Sequence, residues 1–132
     1  FLQTNTQYKN VIQESHPEVC FARLNGSVLM TSKHDLDGIR ERAAVIRKYL
    51  PEVTERWLST RSRTMKCKED DIVDSICLAV TANLMLQGKT ETIPPEPSLD
   101  DTGLLMQMVI PQESQPNPSD TRYEVWIPVR KV

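Results

Sequence analysis

The amino-acid sequence predicts a mixed α/β domain, and three segments carry that prediction. A short run with β character, Asn10–Glu14, comes directly before a helix-start signal. A nearly all-apolar helical stretch spans Asp70–Gln87, and apolar residues recur with a period of two over Tyr123–Val129. Such alternation is typical of a half-exposed strand, whereas a long apolar helix belongs inside a domain. With 132 residues, the chain is long enough for one domain with a core of its own.

The bulk composition is that of an ordinary soluble globular protein, with 39% hydrophobic and 26% charged residues. The formal net charge of −2 gives no overall attraction to nucleic acid or to an anionic membrane. No run of about 18 apolar residues is present to span a bilayer. The three cysteines show no C-x-x-C spacing, so we expect no disulfide framework and a reducing, cytoplasmic compartment.

The first predicted helix follows the strand that ends at Glu14. Ser15 is expected to cap it in a capping box with Glu18, and Pro17 lies in the first turn, where its missing N–H costs nothing. The dipeptide Asn25-Gly26 is a good C-terminal signal. This segment therefore predicts a helix of about two to three turns.

The next elements are predicted from helical spacing and from breakers. Asp35 is the expected N-cap of a helix over Leu36–Leu50, which Pro51 ends. A short helix is predicted around Val53–Leu58. The polar segment Arg61–Lys68 is predicted to be a loop.

The C-terminal third alternates between extended and apolar segments. The Asp70–Gln87 helix should stop at Gly88, before a stiff extended linker at Thr92–Ser98. Strands are predicted at Gly103–Ile110 and Tyr123–Val129. Because these few strands cannot cover the predicted helices, we expect either further strands upstream or a second copy of the chain that supplies them.

The start of the apolar helix carries two acids on one face. Asp71 and Asp74 are three residues apart, which brings like charges together. A divalent cation is the usual compensation, because hard oxygen ligands suit Mg²⁺ or Mn²⁺. The alternative is that Asp70 or Asp71 caps the helix and that the acids in its first turn interact favourably with the helix macrodipole. The segment alone does not separate these two interpretations.

Glu14 offers a third carboxylate at the end of the predicted first strand, where α/β proteins place ligand-handling side chains. The alternative is a strand-end residue that points into water. Together with Asp71 and Asp74 it could hold one or two metal ions that act on a phosphodiester. His16 is either solvated or a hydrogen-bond partner at the rim of that site.

Several blocks of the sequence resemble one known family. The run Glu14–Gly26 resembles the signature E-x-H-P-E-x-x-F-x-x-L-N-G of bacterial and archaeal predicted ribonuclease-H-like nucleases, long classed as a domain of unknown function. Asp70–Ser75 resembles the D-D-x-x-D-A helix of that family, with Ser in place of Ala at its end. Shorter similarities are at Ser32-Lys33, Gly38, Glu41-Arg42 and Gly103–Val109.

The resemblance implies a partial ribonuclease-H-like fold that lacks its first strands. In that fold a first-strand Asp, a fourth-strand Glu and late-helix carboxylates hold two metal ions, and Glu14, Asp71 and Asp74 match the last two kinds. Family members begin with a G-x-D strand, two more strands and a helix, which this sequence does not show. Its opening at Phe1-Leu2, without an initiator Met, resembles the end of that helix and predicts a fragment.

The implied function is a metal-dependent nuclease acting on DNA or RNA, incomplete or inactive in this chain because the first-strand Asp is absent. The alternatives are a non-catalytic interaction or regulatory module with the same fold, or phosphoryl chemistry on a small molecule. For the last, no Gly-rich phosphate loop is visible. The expected catalytic and metal-binding residues are Glu14, Asp71 and Asp74, with Mg²⁺ or Mn²⁺ as the cofactor. The residues expected at the rim of the site are His16, Lys33 and Arg42. Asp70 is expected to cap the helix.

The predicted organisation is the C-terminal part of a ribonuclease-H-like domain over residues 1–111, followed by a linker and an extra edge strand over residues 112–132. Missing first strands would leave an unpaired sheet edge and uncovered helix faces, which are liabilities for a monomer. We therefore expect a homodimer, with exchange of strands between the copies as one way to form it.

Overall fold

Four α-helices and a two-stranded antiparallel sheet make up the part of the chain that the computed structural model describes, which is Leu2, residues 4–8 and residues 11–113. The mixed α/β class is thus confirmed. A single 3₁₀ turn, Thr6–Tyr8, precedes these elements. The helices are α1 (Pro17–Asn25), α2 (Leu36–Arg47), α3 (Glu55–Met65) and α4 (Glu69–Leu86), and the strands are β1 (Thr90–Ile93) and β2 (Met108–Pro111).

The core forms around α4, as its apolar sequence predicts. This helix contacts each of the other three helices and both strands. Val73 and Cys77 on α4 are fully buried, and they belong to one cluster with Phe21 of α1, Ile46 of α2 and Leu58 of α3. The helix is too apolar to be stable in water, so its position at the centre of the packing follows from the hydrophobic effect.

The predicted strand at Asn10–Glu14 is wrong over the residues that the structure describes. Residues 11–14 have no strand conformation, and Asn10 lies outside the description. One backbone hydrogen bond, from Val109 N–H to the Glu14 carbonyl at 2.8 Å, joins this segment to β2. A ladder needs repeated bonds of this kind. The regular pairing of β2 is instead with β1.

The first strand of the sheet overlaps the predicted linker, Thr92–Ser98, by its last two residues. β1 pairs antiparallel with β2 in a register that places Thr90 opposite Pro111 and Ile93 opposite Met108. The predicted strand at Gly103–Ile110 is therefore present only in its last third, extended by one residue. Upstream of it, Leu105 makes an isolated bridge to Leu99.

Helix starts differ from the predicted caps. α1 begins with His16 at its N-cap position and without a side-chain cap, so the capping box is wrong. The Ser15 hydroxyl donates to the Val109 carbonyl at 2.8 Å, and Glu18 binds Arg42. Asp35 does precede α2, but its side chain makes no cap hydrogen bond.

The predicted loop at Arg61–Lys68 is helical up to Met65. Arg61 lies over the Trp57 ring, 5.2 Å from its centroid, and this pair one turn apart supports the continued helix. The predicted strand at Tyr123–Val129 lies outside the described residues. Within the described part of the chain, no helix combines the length and the apolarity needed to cross a membrane.

Candidate functional site

Two acids at the start of α4, the buried Asp70 and the half-buried Asp74, each contact a basic side chain from the loop that precedes α2. Lys33 Nζ donates to Asp74 Oδ2 at 2.8 Å, and His34 Nδ1 lies 3.0 Å from Asp70 Oδ2. The acids are four residues apart and so share one face of the helix. Their side chains are only 10% (Asp70) and 17% (Asp74) exposed, so these two contacts offset part of the cost of removing carboxylates from water.

A close backbone contact positions that loop. Gly38 on α2 lies so near the Ser32 carbonyl that a Cβ there would be 1.7 Å from its oxygen. The same carbonyl accepts the Asp35 N–H at 3.1 Å. The loop backbone therefore rests directly on α2 at a residue without a side chain, and Lys33 and His34 follow it toward α4.

An ion pair between the buried Arg42 and the half-buried Glu18 lies beneath the loop. Arg42, 3% exposed, donates from Nη2 and Nε to the two carboxylate oxygens of Glu18 at 2.7 and 3.1 Å. Its Nη1 donates to the carbonyls of Thr31 and Gly38, each at 3.2 Å. The hydrogen bond from Arg42 holds the pKa of Glu18 below its usual value, against the opposing effect of burial. Arg42, expected at the rim, is thus buried and fully engaged by α1, α2 and the loop.

Asp70 does not cap α4, because Lys68 occupies the N-cap position. Asp70 lies in the first turn, turned toward His34. Burial favours a raised pKa for this carboxyl, but hydrogen bonds from His34 and from backbone N–H groups outweigh it, and the pKa is lowered. Asp70 is therefore a buried carboxylate of the site rather than the end of the helix.

Asp74 has one unused oxygen. Its Oδ1 is buried and has no hydrogen-bond partner among the described residues, while Oδ2 binds Lys33. A buried acceptor without a donor costs about 1–3 kcal/mol, and more when it is charged. A cation or a hydrogen-bond donor would therefore bind more favourably at Asp74 Oδ1 than elsewhere in this cluster.

The other predicted ligands lie apart from this pair. Asp71 is exposed on α4, and Glu14 is exposed beside a cavity of about 660 Å³ that Met106 and Met108 also line. His16 is exposed at the start of α1. In the described part of the chain, no group of three or more His, Cys, Asp or Glu side chains could hold a metal ion. The structure brings Asp70 and Asp74 together with Lys33 and His34, but it does not bring together the predicted three acids.

Sequence reasoning missed His34 and the true partner of Glu18. One signal for the ion pair was available, because Arg42 falls within the apolar stripe of α2 that contains Ile39 and Ile46. An arginine in such a stripe needs a buried carboxylate. For His34 no local signal exists, since its contact with Asp70 depends on how the loop folds back.

Comparisons with known proteins add one finding. The family model described as "Protein of unknown function (DUF429)" matches residues 1–99, which span α1 to α4 and β1. No curated protein and no solved structure matches the chain.

Proposed function

The chain belongs to the DUF429 family of proteins of unknown function, and we propose that it carries the late-helix carboxylates of a metal-dependent nuclease of the ribonuclease-H-like superfamily. The observation that favours this function is the unpartnered, buried oxygen of Asp74. A second carboxylate, Asp70, shares its helix face one turn away. Carboxylate oxygens are the ligands that Mg²⁺ and Mn²⁺ prefer.

The described residues offer one unpaired carboxylate oxygen, Oδ1 of Asp74, and do not complete a metal site by themselves. They bring no third ligand to Asp70 and Asp74, so Asp71 and Glu14 would have to approach, or other ligands would have to complete the set. A bound divalent ion polarises a phosphodiester and stabilises the negative charge that develops on its leaving oxygen. In this chain Asp74 would hold the ion. When no ion is bound, Lys33 neutralises Asp74, and His34 positions Asp70. We therefore expect binding without cleavage of DNA or RNA by this chain alone.

The test is a Mn²⁺ titration followed by calorimetry or by amide chemical shifts. Asp74→Asn should abolish the response, because it removes the charge at the unpartnered oxygen. Asp37→Asn makes the same chemical change at an exposed position on α2 and should leave the response unchanged. Lys33→Gln should raise Mn²⁺ affinity roughly twofold to fivefold, because a competing, partly exposed cation is removed. Asp71→Asn and Glu14→Gln then show whether these acids contribute.

An equal response in wild type and Asp74→Asn would contradict the metal site. The charged cluster would then only join the loop, α1, α2 and α4, and the non-catalytic interaction module would be the better proposal. The observation that favours that module is that Asp70, Asp74 and Glu18 each pair with a basic side chain of the same chain. Oligonucleotide cleavage in Mn²⁺ should be absent with this chain in either case.

Homodimer formation remains a prediction that accompanies this proposal. Large apolar side chains are exposed at the end of α4, where Leu86 is 84% exposed, and at Val11, which is 70% exposed. Covering them would remove apolar area from water. Sedimentation at micromolar concentration should give twice the 15.1 kDa chain mass, and a clean monomer would contradict it.

A further inference from the structure

The exposed side of α3 is rich in arginine. Arg56, Arg61 and Arg63 are exposed on this helix, whereas Leu58 on its other side is fully buried. At about 100° per residue, the three arginines lie within one half of the helix surface, and Thr60 lies between them. The Thr60 hydroxyl donates to the Arg56 carbonyl at 2.7 Å, so the arginines supply the available hydrogen-bond donors of this side.

Two lysines extend this side of α3 to the start of α4. Lys66 and Lys68 are exposed in the turn after α3, and Lys68 occupies the N-cap position of α4. The turn is tied to α3, because the Ser62 hydroxyl donates to the Cys67 carbonyl at 2.6 Å and the Cys67 N–H donates to the Ser62 carbonyl. We call the two lysines and the three arginines the basic surface: Arg56, Arg61, Arg63, Lys66 and Lys68.

The charges of the basic surface are not neutralised within the protein. Residues 55–68 contain five basic side chains and one acid, Glu55, which pairs with Arg40 of α2 at 3.0 Å. None of the five forms an ion pair with an acid in the described part of the chain, whereas Lys33 and Arg42 both do. A chain with a net charge of −2 thus concentrates positive charge on one helix and the turn after it, and this local field attracts an anion.

Arg61 is held in place without an acid. Its guanidinium lies over the ring of the half-buried Trp57, 5.2 Å from the centroid. The ring restricts the guanidinium and leaves its charge unneutralised, so Arg61 can bind a phosphate or stack on a base. An arginine stacked on an aromatic ring, beside further basic side chains, is typical of surfaces that bind nucleic acid.

We propose that the basic surface binds the phosphodiester backbone of a nucleic acid and directs it toward the acids at the start of α4. The inference rests on the proposed nuclease function for the nature of the anion, and it adds the surface that holds the substrate. Asp70 and Asp74 would repel a phosphate that reaches them unless a divalent cation lies between. The basic surface therefore supplies the affinity for phosphate that these acids cannot, and it should bind the strand even when no metal ion is present.

The first measurement is metal-free binding of a fluorescein-labelled oligothymidylate of about 16 nucleotides. The full chain is titrated into the probe in EDTA, and fluorescence anisotropy is recorded at several salt concentrations. The association constant should fall as salt rises, with a logarithmic slope between about −2 and −3.5, because each neutralised phosphate releases about 0.7 counterion. The same titration with oligouridylate and with a duplex of equal length shows which form of nucleic acid is preferred.

Two double variants with equal changes in charge locate the binding surface. Arg56→Gln with Arg63→Gln should weaken binding roughly 10-fold to 30-fold near about 0.1 M salt and make the slope shallower by about 1.4. Arg47→Gln with Lys48→Gln removes two charges from the end of α2 and should change the affinity less than about twofold. The circular dichroism of both variants should match that of wild type, since none of the four side chains is buried.

Three results would overturn the inference. These are no binding by the folded chain at low salt, equal weakening in the two double variants, and displacement of the probe by polyglutamate as readily as by unlabelled oligonucleotide. The Mn²⁺ titration is a separate measurement, in which Arg56→Gln with Arg63→Gln should respond like wild type. A Mn²⁺ response that depends on Asp74, together with no oligonucleotide binding, would support the metal site and overturn the basic surface. Oligonucleotide binding through α3 without any Mn²⁺ response would do the reverse.

Discussion

Glu18→Gln is expected to lower the free energy of unfolding by about 2–4 kcal/mol, because it leaves the buried guanidinium of Arg42 without its carboxylate. Arg42 would keep two carbonyl acceptors, Thr31 and Gly38, and lose the bidentate partner that neutralises it. Glutamine has one acceptor oxygen in place of two and brings no charge. Urea denaturation followed by circular dichroism measures the change.

Two comparisons isolate the pair of Glu18 and Arg42. The double variant Glu18→Gln with Arg42→Met should be less destabilised than Glu18→Gln alone, because no charge then remains buried. Glu55→Gln makes the same change in an exposed ion pair with Arg40 and should leave the unfolding curve within error. If Glu18→Gln and Glu55→Gln lost equal stability, the pair of Glu18 and Arg42 would not have the role assigned to it.

The pH dependence of this difference has a defined sign. The pKa of Glu18 is lower in the folded protein than its ordinary value of 4.5. A carboxyl with a lowered folded pKa stabilises the fold above its unfolded pKa, and the effect is lost as the pH falls through the folded pKa. The gap in stability between wild type and Glu18→Gln should therefore be full near pH 6 and should shrink below about pH 4.5.

The parts of the fold that the sequence predicted are those determined by local patterns. The apolar spacing of α2 and the nearly all-apolar α4 require no knowledge of their partners, and both helices are present. The β1 strand, Thr90–Ile93, was missed because its four residues gain their conformation from pairing with β2. Such pairing depends on a segment that is distant in the sequence, so the strand propensity of these four residues alone does not predict it.

The same distinction applies to the site. The acids Asp70, Asp71 and Asp74 could be found from helical spacing, because their positions depend on one helix. The basic partners of Asp70 and Asp74 come from a loop whose path depends on contact with α2. Asp71, predicted to be a ligand, is exposed, while Asp70, predicted to be a cap, is buried. A rotation of the helix by about 100° separates successive residues, so only the packing decides which acid faces inward.

Gly38→Ala is expected to destabilise the protein by about 1–3 kcal/mol, because the added methyl group would overlap the Ser32 carbonyl oxygen. Within a helix this substitution ordinarily stabilises by about 1 kcal/mol, so a destabilisation reverses the usual sign. The opposing atom belongs to the backbone, and the loop must move to make room. Thermal or urea unfolding gives the magnitude.

Displacement of the loop should also change the surroundings of α4, which is far from Gly38 in the sequence. If Gly38 holds the loop, alanine there should shift the amide signals of Asp70 and Asp74, whose carboxylates lose Lys33 and His34. Asp37→Ala, the neighbouring change at an exposed side chain, should leave those signals in place. A stabilised Gly38→Ala protein with unshifted α4 signals would mean that the loop reaches the acids without this contact. The close approach at Gly38 would then be incidental, and the pairing of Lys33 and His34 with α4 would be what fixes the loop.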